Sequence, residues 1–408
     1  MRSAICLALC LPLVACTVYV DGEGKEQDGE KLHISISGFG GVKGNGKLVS
    51  QTRAISAVKT VELDSSVDLS IELAAGTTPS LVVEADENLQ SMVQTVMEGD
   101  RLVIRSKGSF STRNPMHATL KLPSLERAIN RSSGDMTLRG LDAERFVFDA
   151  SGPGDVHLSG KAKRLEVAVS GSGDLALEGL DSEHLQVRMS GPGNVSGTGR
   201  VAGVDAQLSG SGDLKLSNLS GPAEVRLDGP GGAELTGKVA SLQAWVGGSG
   251  GVTVQGLDGG TVSVEGHGPG DVQLMGRASS LKLALSGSGD LEAGSLSVAD
   301  VEASMSGPGN ASLGSVQAER FKARLSGSGD LSASGKAKTL DIEVSGPGNA
   351  SLAGLVAQDA QLQSSGSGDI EAAVMANLKA HTSGPGEIQV HGKPTVRELQ
   401  GKGIQIQG

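Results

Sequence analysis

A five-residue block that recurs along most of the chain constrains its fold more than any other feature. Ser170–Asp174 reads SGSGD, Ser190–Asn194 reads SGPGN, and the two versions alternate at intervals that are nearly always 19 or 20 residues. This repetition overrides the several ordinary domains that a chain of 408 residues would otherwise suggest. The blocks end at Asp135, Asp155, Asp174, Asn194, Asp213, Gly232, Gly251, Asp271, Asp290, Asn310, Asp330, Asn349, Asp369 and Glu387.

The residues between the blocks alternate as in a β-strand. Leu165, Val167 and Val169 are apolar and alternate with Glu166 and Ala168, which is the period of a strand with one buried face. Disordered Gly/Ser-rich linkers lack such apolar runs, and collagen needs glycine at every third residue. We therefore expect each repeat to supply strands.

Glycine and proline mark two corners in each repeat. Gly171 and Gly173 are expected to adopt the positive φ angles of a tight corner, and Gly179 marks a second corner. Proline has no backbone N–H to donate to a ladder, so its presence in every second block also indicates a corner. These prolines are Pro153, Pro192, Pro230, Pro269, Pro308, Pro347 and Pro385.

One repeat buries too few apolar side chains to offset the entropy of ordering it, so the repeats have to stack. The prediction is an all-β fold, a right-handed parallel β-helix (solenoid) of about 14–16 coils of 19–20 residues, with an N-terminal β-rich cap. At about 4.8 Å per coil, the rod would be about 65–80 Å long.

Composition divides the chain into five segments. Residues 1–15 are predicted to be a lipoprotein signal peptide, 16–52 a polar Gly-rich tether, 53–125 the N-terminal β cap, 126–392 the repeat β-helix and 393–408 a degenerate C-terminal coil or cap. Within the cap, several short alternating runs predict strands. Leu89–Met97 predicts one short helix there, with Asp86 or Asn88 as its N-cap.

The first segment ends in Leu13, Val14, Ala15 and Cys16 after a short apolar run. This ending resembles the lipobox of bacterial lipoproteins, which implies removal of residues 1–15 and lipidation of Cys16. Two or more acyl chains would hold the protein stably on a membrane. The resemblance also implies the outer membrane, because the residue after the cysteine is Thr17 and not aspartate. The alternative is an ordinary secretory signal with incidental cysteines.

A second resemblance begins in the cap. Leu81–Leu89 reads LVVEADENL, Glu98–Ile104 reads EGDRLVI, and Leu122–Leu125 reads LPSL before the Gly-Asp repeats begin. These segments resemble the bacterial head GIN domain family, whose members are labelled auto-transporter adhesins. The resemblance covers about Gly46 to the C-terminus and implies an exported β-rich fold. The chain departs from the family pattern by carrying many more repeats than a typical member.

The last residue of each block is expected to form a column along the rod. The candidate site residues are Asp135, Asp155, Asp174, Asn194, Asp213, Asp271, Asp290, Asn310, Asp330, Asn349 and Asp369. We expect their side chains to bond adjacent backbone N–H groups and hold the corner. The alternative is weak cation binding, although Ca²⁺ needs six to eight oxygen ligands and the nonapeptide period of calcium-binding β-rolls is not matched. No cofactor and no dedicated metal site is expected.

Catalysis is not expected from this sequence. The histidines (His33, His117, His157, His184, His267, His381 and His391) show no pairing typical of a metal site. The serines of the blocks have no neighbouring base to activate them. The coils have nearly constant length, which leaves no inserted loop for a cleft, and Trp245 replaces an alternating apolar position, which indicates packing against the rod.

Three functions from different classes are considered. The preferred one is a non-catalytic, lipid-anchored envelope protein, a monomer, that presents its repetitive face to an envelope or extracellular polysaccharide or protein. The alternatives are a structural or scaffold β-helix in the periplasm and a polysaccharide-processing enzyme. The net charge of −11 argues against a nucleic-acid partner.

Overall fold

Residues 41–408 are described in a computed structural model, and they form a β-solenoid of about 15 turns. The predicted signal peptide and residues 16–40 of the predicted tether lie outside the described residues. The all-β parallel solenoid expected from the repeats is confirmed, and its right-handed sense stays a prediction.

The body of the rod consists of coils that pair in parallel with the coil before and the coil after. Leu185 pairs with Val204, and Val204 with Ala223, so equivalent residues of successive repeats stack in columns. The strands are β10 Arg127–Asn130, β11 Met136–Ala150, β12 Val156–Val169, β13 Leu175–Leu177, β14 Asp181–Met189, β15 Val195–Gly197, β16 Val204–Leu208, β17 Leu214–Leu219, β18 Pro222–Leu227, β19 Ala233–Val239, β20 Ser241–Val246, β21 Val252–Asp258, β22 Thr261–Gly266, β23 Val272–Ala278, β24 Ser280–Leu285, β25 Leu291–Met305, β26 Ala311–Leu325, β27 Leu331–Val344, β28 Ala350–Ser364 and β29 Ile370–Thr382.

The core follows from the period-two alternation. In β18 the side chains of Ala223, Val225 and Leu227 are buried and alternate with exposed neighbours. Because the registers preserve this alternation from coil to coil, the inward columns merge into one continuous apolar core along the rod. Each coil is therefore stabilised mainly by its two neighbours.

The glycines of the blocks differ from the expectation. Gly171 and Gly173 are not among the described residues with positive φ. A Cβ on Gly171 would lie 2.0 Å from the carbonyl oxygen of Gly152, and a Cβ on Gly173 would lie 2.2 Å from that of Gly154. Close approach of adjacent coils therefore requires glycine here. The second corner is as predicted, with φ of 59° at Gly179.

The N-terminal cap closes one end of the rod. Its strands are β1 Val42–Lys43, β2 Leu48–Arg53, β3 Thr60–Asp64, β4 Asp68–Leu73, β5 Ser80–Asp86, β6 Val93–Glu98, β7 Arg101–Ser106, β8 Phe110–Ser111 and β9 His117–Leu122. Strands β3 and β4 stack in parallel on β10 and β11, and β7 and β9 stack on β3 and β4. Beyond them the pairing becomes antiparallel, with β6 on β7, β5 on β9 and β2 on β5.

Two predictions for this region are wrong. Only Glu87–Leu89 forms a single 3₁₀ turn, and most of the predicted helix Leu89–Met97 belongs to β6. Antiparallel pairing with β7 overrides the helical reading because it places Val93 in the core. The tether predicted to reach residue 52 also ends too late, because β1 and β2 are paired within it.

The C-terminal end has no antiparallel cover among the described strands. It consists of β30 Ile388–His391, β31 Val396–Gln400 and β32 Ile404–Gln407. Strand β31 pairs with β29 and β32 pairs with β30, both in parallel. Val396 and Leu399 of β31 are exposed.

Candidate functional site

The block-end side chains form a hydrogen-bonded ladder along one corner of the rod. The Oδ1 atom of each accepts the backbone N–H of the equivalent residue in the next coil, as between Asp155 and Asp174 at 2.9 Å. Among the described residues, twelve such bonds of 2.7–3.1 Å occur. The side chains therefore satisfy corner N–H groups of the neighbouring coil.

The structure brings the predicted column residues together in two runs. The first run contains Asp135, Asp155, Asp174, Asn194 and Asp213, and it also includes Asp68 of the cap, which the sequence analysis did not assign to the column. The second run contains Asp271, Asp290, Asn310, Asp330, Asn349 and Asp369, and it ends at Glu387. The register of β11 on β4 brings Asp68 into line despite its distance of 67 residues from Asp135.

Asparagine relieves the repulsion that stacked carboxylates would suffer. The amide Nδ2 atoms of Asn194, Asn310 and Asn349 donate to the carboxylate of the preceding coil at 3.0–3.1 Å. Each of these carboxylate oxygens thus accepts two hydrogen bonds from a neutral residue. An aspartate at the same position would place a second negative charge about 4.8 Å away.

Gly232 and Gly251 interrupt the ladder. Gly232 still donates its N–H to Asp213 Oδ1 at 2.8 Å, but it has no side chain to accept the N–H of Gly251. Gly251 likewise offers no acceptor to Asp271. The ladder is therefore broken over two successive coils in the middle of the rod.

The ladder does not gather the ligand set of a cation. Within residues 41–408 there is no group of three or more His, Cys, Asp or Glu side chains placed to hold a metal ion. Because Ca²⁺ takes six to eight oxygens, a single file of carboxylates supplies too few at any one point.

Charged pairs that bridge neighbouring coils cover much of the outer surface. Arg145 donates from two nitrogens to both carboxylate oxygens of Glu166 at 2.8 and 3.0 Å, and it holds the pKa of Glu166 below its ordinary value. Lys121 lowers the pKa of Glu72 in the same way through a hydrogen bond and its charge. At these pairs the outer surface therefore carries both positive and negative charges, and it has no extended patch of a single charge sign there.

The grooves on the rod are open, and their linings mix polar and apolar atoms. One of about 400 Å³ lies at the second corner of four coils and is lined by Asp142, Lys163, Ser182 and Arg200 among others. The Oγ atom of Ser182 lies 3.0 Å from the carbonyl oxygen of His184 and 3.4 Å from that of Lys163. The hydroxyl thus contacts backbone acceptors and not a base that would activate it.

Trp245 does not occupy the position expected from the sequence. In β20 the buried residues are Leu242, Ala244 and Val246, so Trp245 lies on the outer face, where it is partly exposed. It pairs in register with Arg226 on one side and Glu265 on the other. In the neighbouring repeats, the residue before the last apolar position of the strand points outward. Alignment of Trp245 with those repeats therefore predicts its position on the outer face.

The fold and its ladder define a capped, parallel β-solenoid whose corners are closed by Asp/Asn side chains. The chain belongs to the family described as "Putative auto-transporter adhesin, head GIN domain", whose model matches residues 59–257, 222–318 and 302–394. The resemblance predicted from the cap sequence is thereby confirmed. The family description names adhesins, which indicates a protein of the cell envelope or surface.

The chain is also similar to solved structures of bacterial proteins. A "putative adhesin" from Bacteroides fragilis is 15% identical, with 90% of this chain and 98% of that chain covered and a TM-score of 0.30. A "putative lipid binding protein" from Parabacteroides distasonis is 16% identical, with 90% and 99% covered and a TM-score of 0.29. The comparison with curated proteins found no match. Among the described residues, no helix has the length and apolar character needed to cross a membrane.

Proposed function

We propose that this chain is a non-catalytic, lipid-anchored protein of the cell envelope, held on the outer membrane through Cys16, that presents its rod for binding or adhesion. The observation that carries the proposal is the stacking of outward residues into columns. Apart from local register shifts, successive coils pair residue by residue, so outward columns run along the rod from the cap to β29. A repetitive face of this kind suits contact with another extended surface or polymer.

The absence of a catalytic role rests on the same geometry. The block serines take part in hydrogen bonds to carbonyl oxygens of the preceding coil, as Ser209 Oγ does to Met189 at 3.3 Å. His267 contacts Ser286, with 2.7 Å between Nδ1 and Oγ, but both side chains stand on the outer surface of adjacent coils and not in a cleft. Hydrolytic enzymes need a cleft that orients the substrate against the catalytic groups.

The test is protease accessibility of the rod on intact and on permeabilised cells. Cleavage on intact cells is expected if the rod is displayed, and protection until the outer membrane is opened would contradict the adhesion role and favour a periplasmic scaffold. Cys16→Ala is the control for anchoring, and it should move the chain from the membrane fraction to the soluble one. If the substituted chain stays with the membrane, the lipid anchor is wrong.

End-to-end assembly is a second candidate, favoured by one observation. Val396 and Leu399 are exposed on β31, which has a strand partner on one side only among the described strands. Open parallel edges of this kind tend to recruit another strand. Light scattering at rising concentration tests it, with Leu399→Lys as the variant that should abolish any growth in particle mass.

A further inference from the structure

Three successive coils in the middle of the rod depart from the repeat at neighbouring outward positions. The first residue of the block is serine in the flanking coils, at Ser209 and Ser286, but it is Asp228, Gly247 and His267 in the three coils between them. The same three coils contain the break in the ladder described above.

Two residues earlier, the outward column of these coils contains one aromatic residue, Trp245, among the polar and small residues that the column has elsewhere. It reads Arg226, Trp245 and Glu265, and these three are paired in register across β18, β20 and β22. The two columns together form a grid of six residues on one outer face. We refer to this grid as the Trp245 patch, and it consists of Arg226, Asp228, Trp245, Gly247, Glu265 and His267.

Gly247 leaves open space two residues along the strand from Trp245. A Cβ on Gly247 would lie 3.3 Å from Oδ1 of Asp228. This carboxylate oxygen therefore faces the position that a side chain at residue 247 would occupy. The other oxygen, Oδ2, accepts a hydrogen bond of 2.8 Å from Nε of Arg226. Asp228 is thus held in place with one oxygen directed to the open side.

The opposite side of the patch carries Glu265 and His267. The Nδ1 atom of His267 lies 2.7 Å from Oγ of Ser286, and its Nε2 atom lies 4.0 Å from Oε2 of Glu265. The exposed fractions of the side chains are 55% for Arg226, 49% for Asp228, 44% for Glu265 and 61% for His267. All four polar groups are therefore exposed on the same outer face as Trp245.

The chemistry of the patch fits a neutral polyhydroxyl ring. Arg226 and Asp228 neutralise each other as a pair, and the carboxylate of Glu265 disfavours an anionic ligand. A hydroxyl group both donates and accepts hydrogen bonds, which matches the mixture of guanidinium, carboxylate and imidazole groups around the indole. The apolar face of a sugar ring, lined by C–H groups, matches the flat apolar surface of the indole.

We infer that the Trp245 patch is a binding site for a neutral saccharide, with one ring stacked on Trp245 and its hydroxyls bonded by Asp228, Arg226, Glu265 and His267. The inference deepens the proposed binding role, since it names the class of ligand and the part of the rod that recognises it. It does not depend on the lipid anchor or on display at the surface.

Intrinsic fluorescence tests this site directly, because Trp245 is the only tryptophan in the chain. The full chain carrying Cys16→Ala is purified without acyl chains and titrated with soluble neutral hexose and N-acetylhexosamine oligosaccharides. A saturable change of tryptophan emission with at least one of them is expected. If no member of the panel changes the emission saturably, or if phosphocholine binds more tightly than any saccharide, the inference is wrong.

The variants separate recognition from folding. Gly247→Ser restores the residue found at this position in most blocks, so the fold should be retained while the open space is filled and affinity falls. By calorimetry, Trp245→Ala should lose about tenfold or more in affinity, as expected for removal of an aromatic contact. Gln363→Ala lies in the same outward column far from the patch and should bind like the parent chain. Unchanged affinity in both Trp245→Ala and Gly247→Ser would overturn the inference.

The solution titration tests the saccharide site, and the protease experiment on cells tests display at the surface, so a negative result in one does not decide the other. If the chain binds saccharide but is protected from protease on intact cells, the saccharide site at Trp245 is supported and the surface-adhesion role is wrong. If protease cleaves the chain on intact cells but no saccharide changes the emission of Trp245, the envelope role is supported and the saccharide site is wrong.

Discussion

The backbone N–H and the side-chain amide of Asn194 both donate to the same carboxylate oxygen of Asp174, at 2.9 and 3.0 Å. One residue of a coil is thereby held by two hydrogen bonds to a single atom of the coil before it. The arrangement explains why aspartate and asparagine share the last position of the block. Aspartate supplies an acceptor, and asparagine supplies an acceptor for the next coil and an additional donor to the previous one.

Removal of one ladder acceptor should destabilise the rod. Asp174→Ala leaves the N–H of Asn194 and its side-chain amide without their acceptor, and a cost of about 1 kcal/mol in the free energy of unfolding is expected. Asp174→Asn keeps an oxygen at the same place and removes a charge next to Asp155, so stability should be equal or higher. Urea denaturation followed by circular dichroism measures both. Asp142→Ala, at an exposed aspartate outside the ladder, is the matched control, and an equal loss in that variant would contradict a special role for the ladder.

A new ladder acceptor at Gly251, where the ladder is broken, should stabilise the rod. Gly251→Asn would place an Oδ1 acceptor before the N–H of Asp271, and it would also reduce the conformational entropy of the unfolded chain. A gain of about 1 kcal/mol in unfolding free energy is expected from the two effects together. A Cβ at Gly251 would come no closer than 3.2 Å to any atom, that atom being the carbonyl oxygen of Asp271. Thermal melting compares the variant with Gly259→Asn, an exposed glycine with positive φ outside the ladder, and a loss of stability at Gly251→Asn would show that the glycine is required for another reason.

A block glycine should tolerate no side chain. In Gly171→Ala the added methyl group would lie 2.0 Å from the carbonyl oxygen of Gly152, so the two coils would have to separate and break their hydrogen bonds. The expected cost is on the order of 3 kcal/mol or more. Ser172→Ala changes the exposed neighbour and should be nearly neutral. Comparable unfolding midpoints for the two variants in guanidinium chloride would contradict the packing argument.

Much of the fold could be predicted because the determinants are local and repeated. The alternation around Val167 and the spacing of the blocks give strand, corner and coil length directly, and stacking follows from the small core of one repeat. The role of Gly171 could not be predicted in this way. Its constraint comes from the backbone of the preceding coil at Gly152, a contact that is visible only once the register is known.

The cap and the Trp245 patch show the same limit. The run Leu89–Met97 taken alone predicts a short helix, because the pairing of Val93 with Ser106 in β7 is not visible within it. Trp245 is expected from the sequence to pack against the rod because it replaces an alternating apolar position, but its place in the repeat puts it on the outer face. In both places the residue type favoured one environment, and its position in the stacked coils imposed another.

The stability of the rod should fall at acidic pH, beginning near the ordinary pKa of glutamate. Hydrogen bonds from Arg145 to Glu166, from Lys121 to Glu72 and from Lys47 to Glu87 lower the pKa values of these carboxyls in the folded chain. A carboxyl whose pKa is lower in the folded state contributes stability above its unfolded pKa, and that contribution is lost as the pH falls through the folded pKa.

The loss is measured by urea denaturation at several values between about pH 6 and pH 3. Glu166→Gln should be less stable than the parent near neutral pH and should show a shallower decline towards acid, because it no longer has a carboxylate to protonate beside Arg145. High salt should reduce the difference between the two chains, since these pairs are largely exposed and screened. Parallel declines in the parent and in Glu166→Gln would mean that other carboxyls set the acid limit, and the ladder aspartates would be the next to substitute.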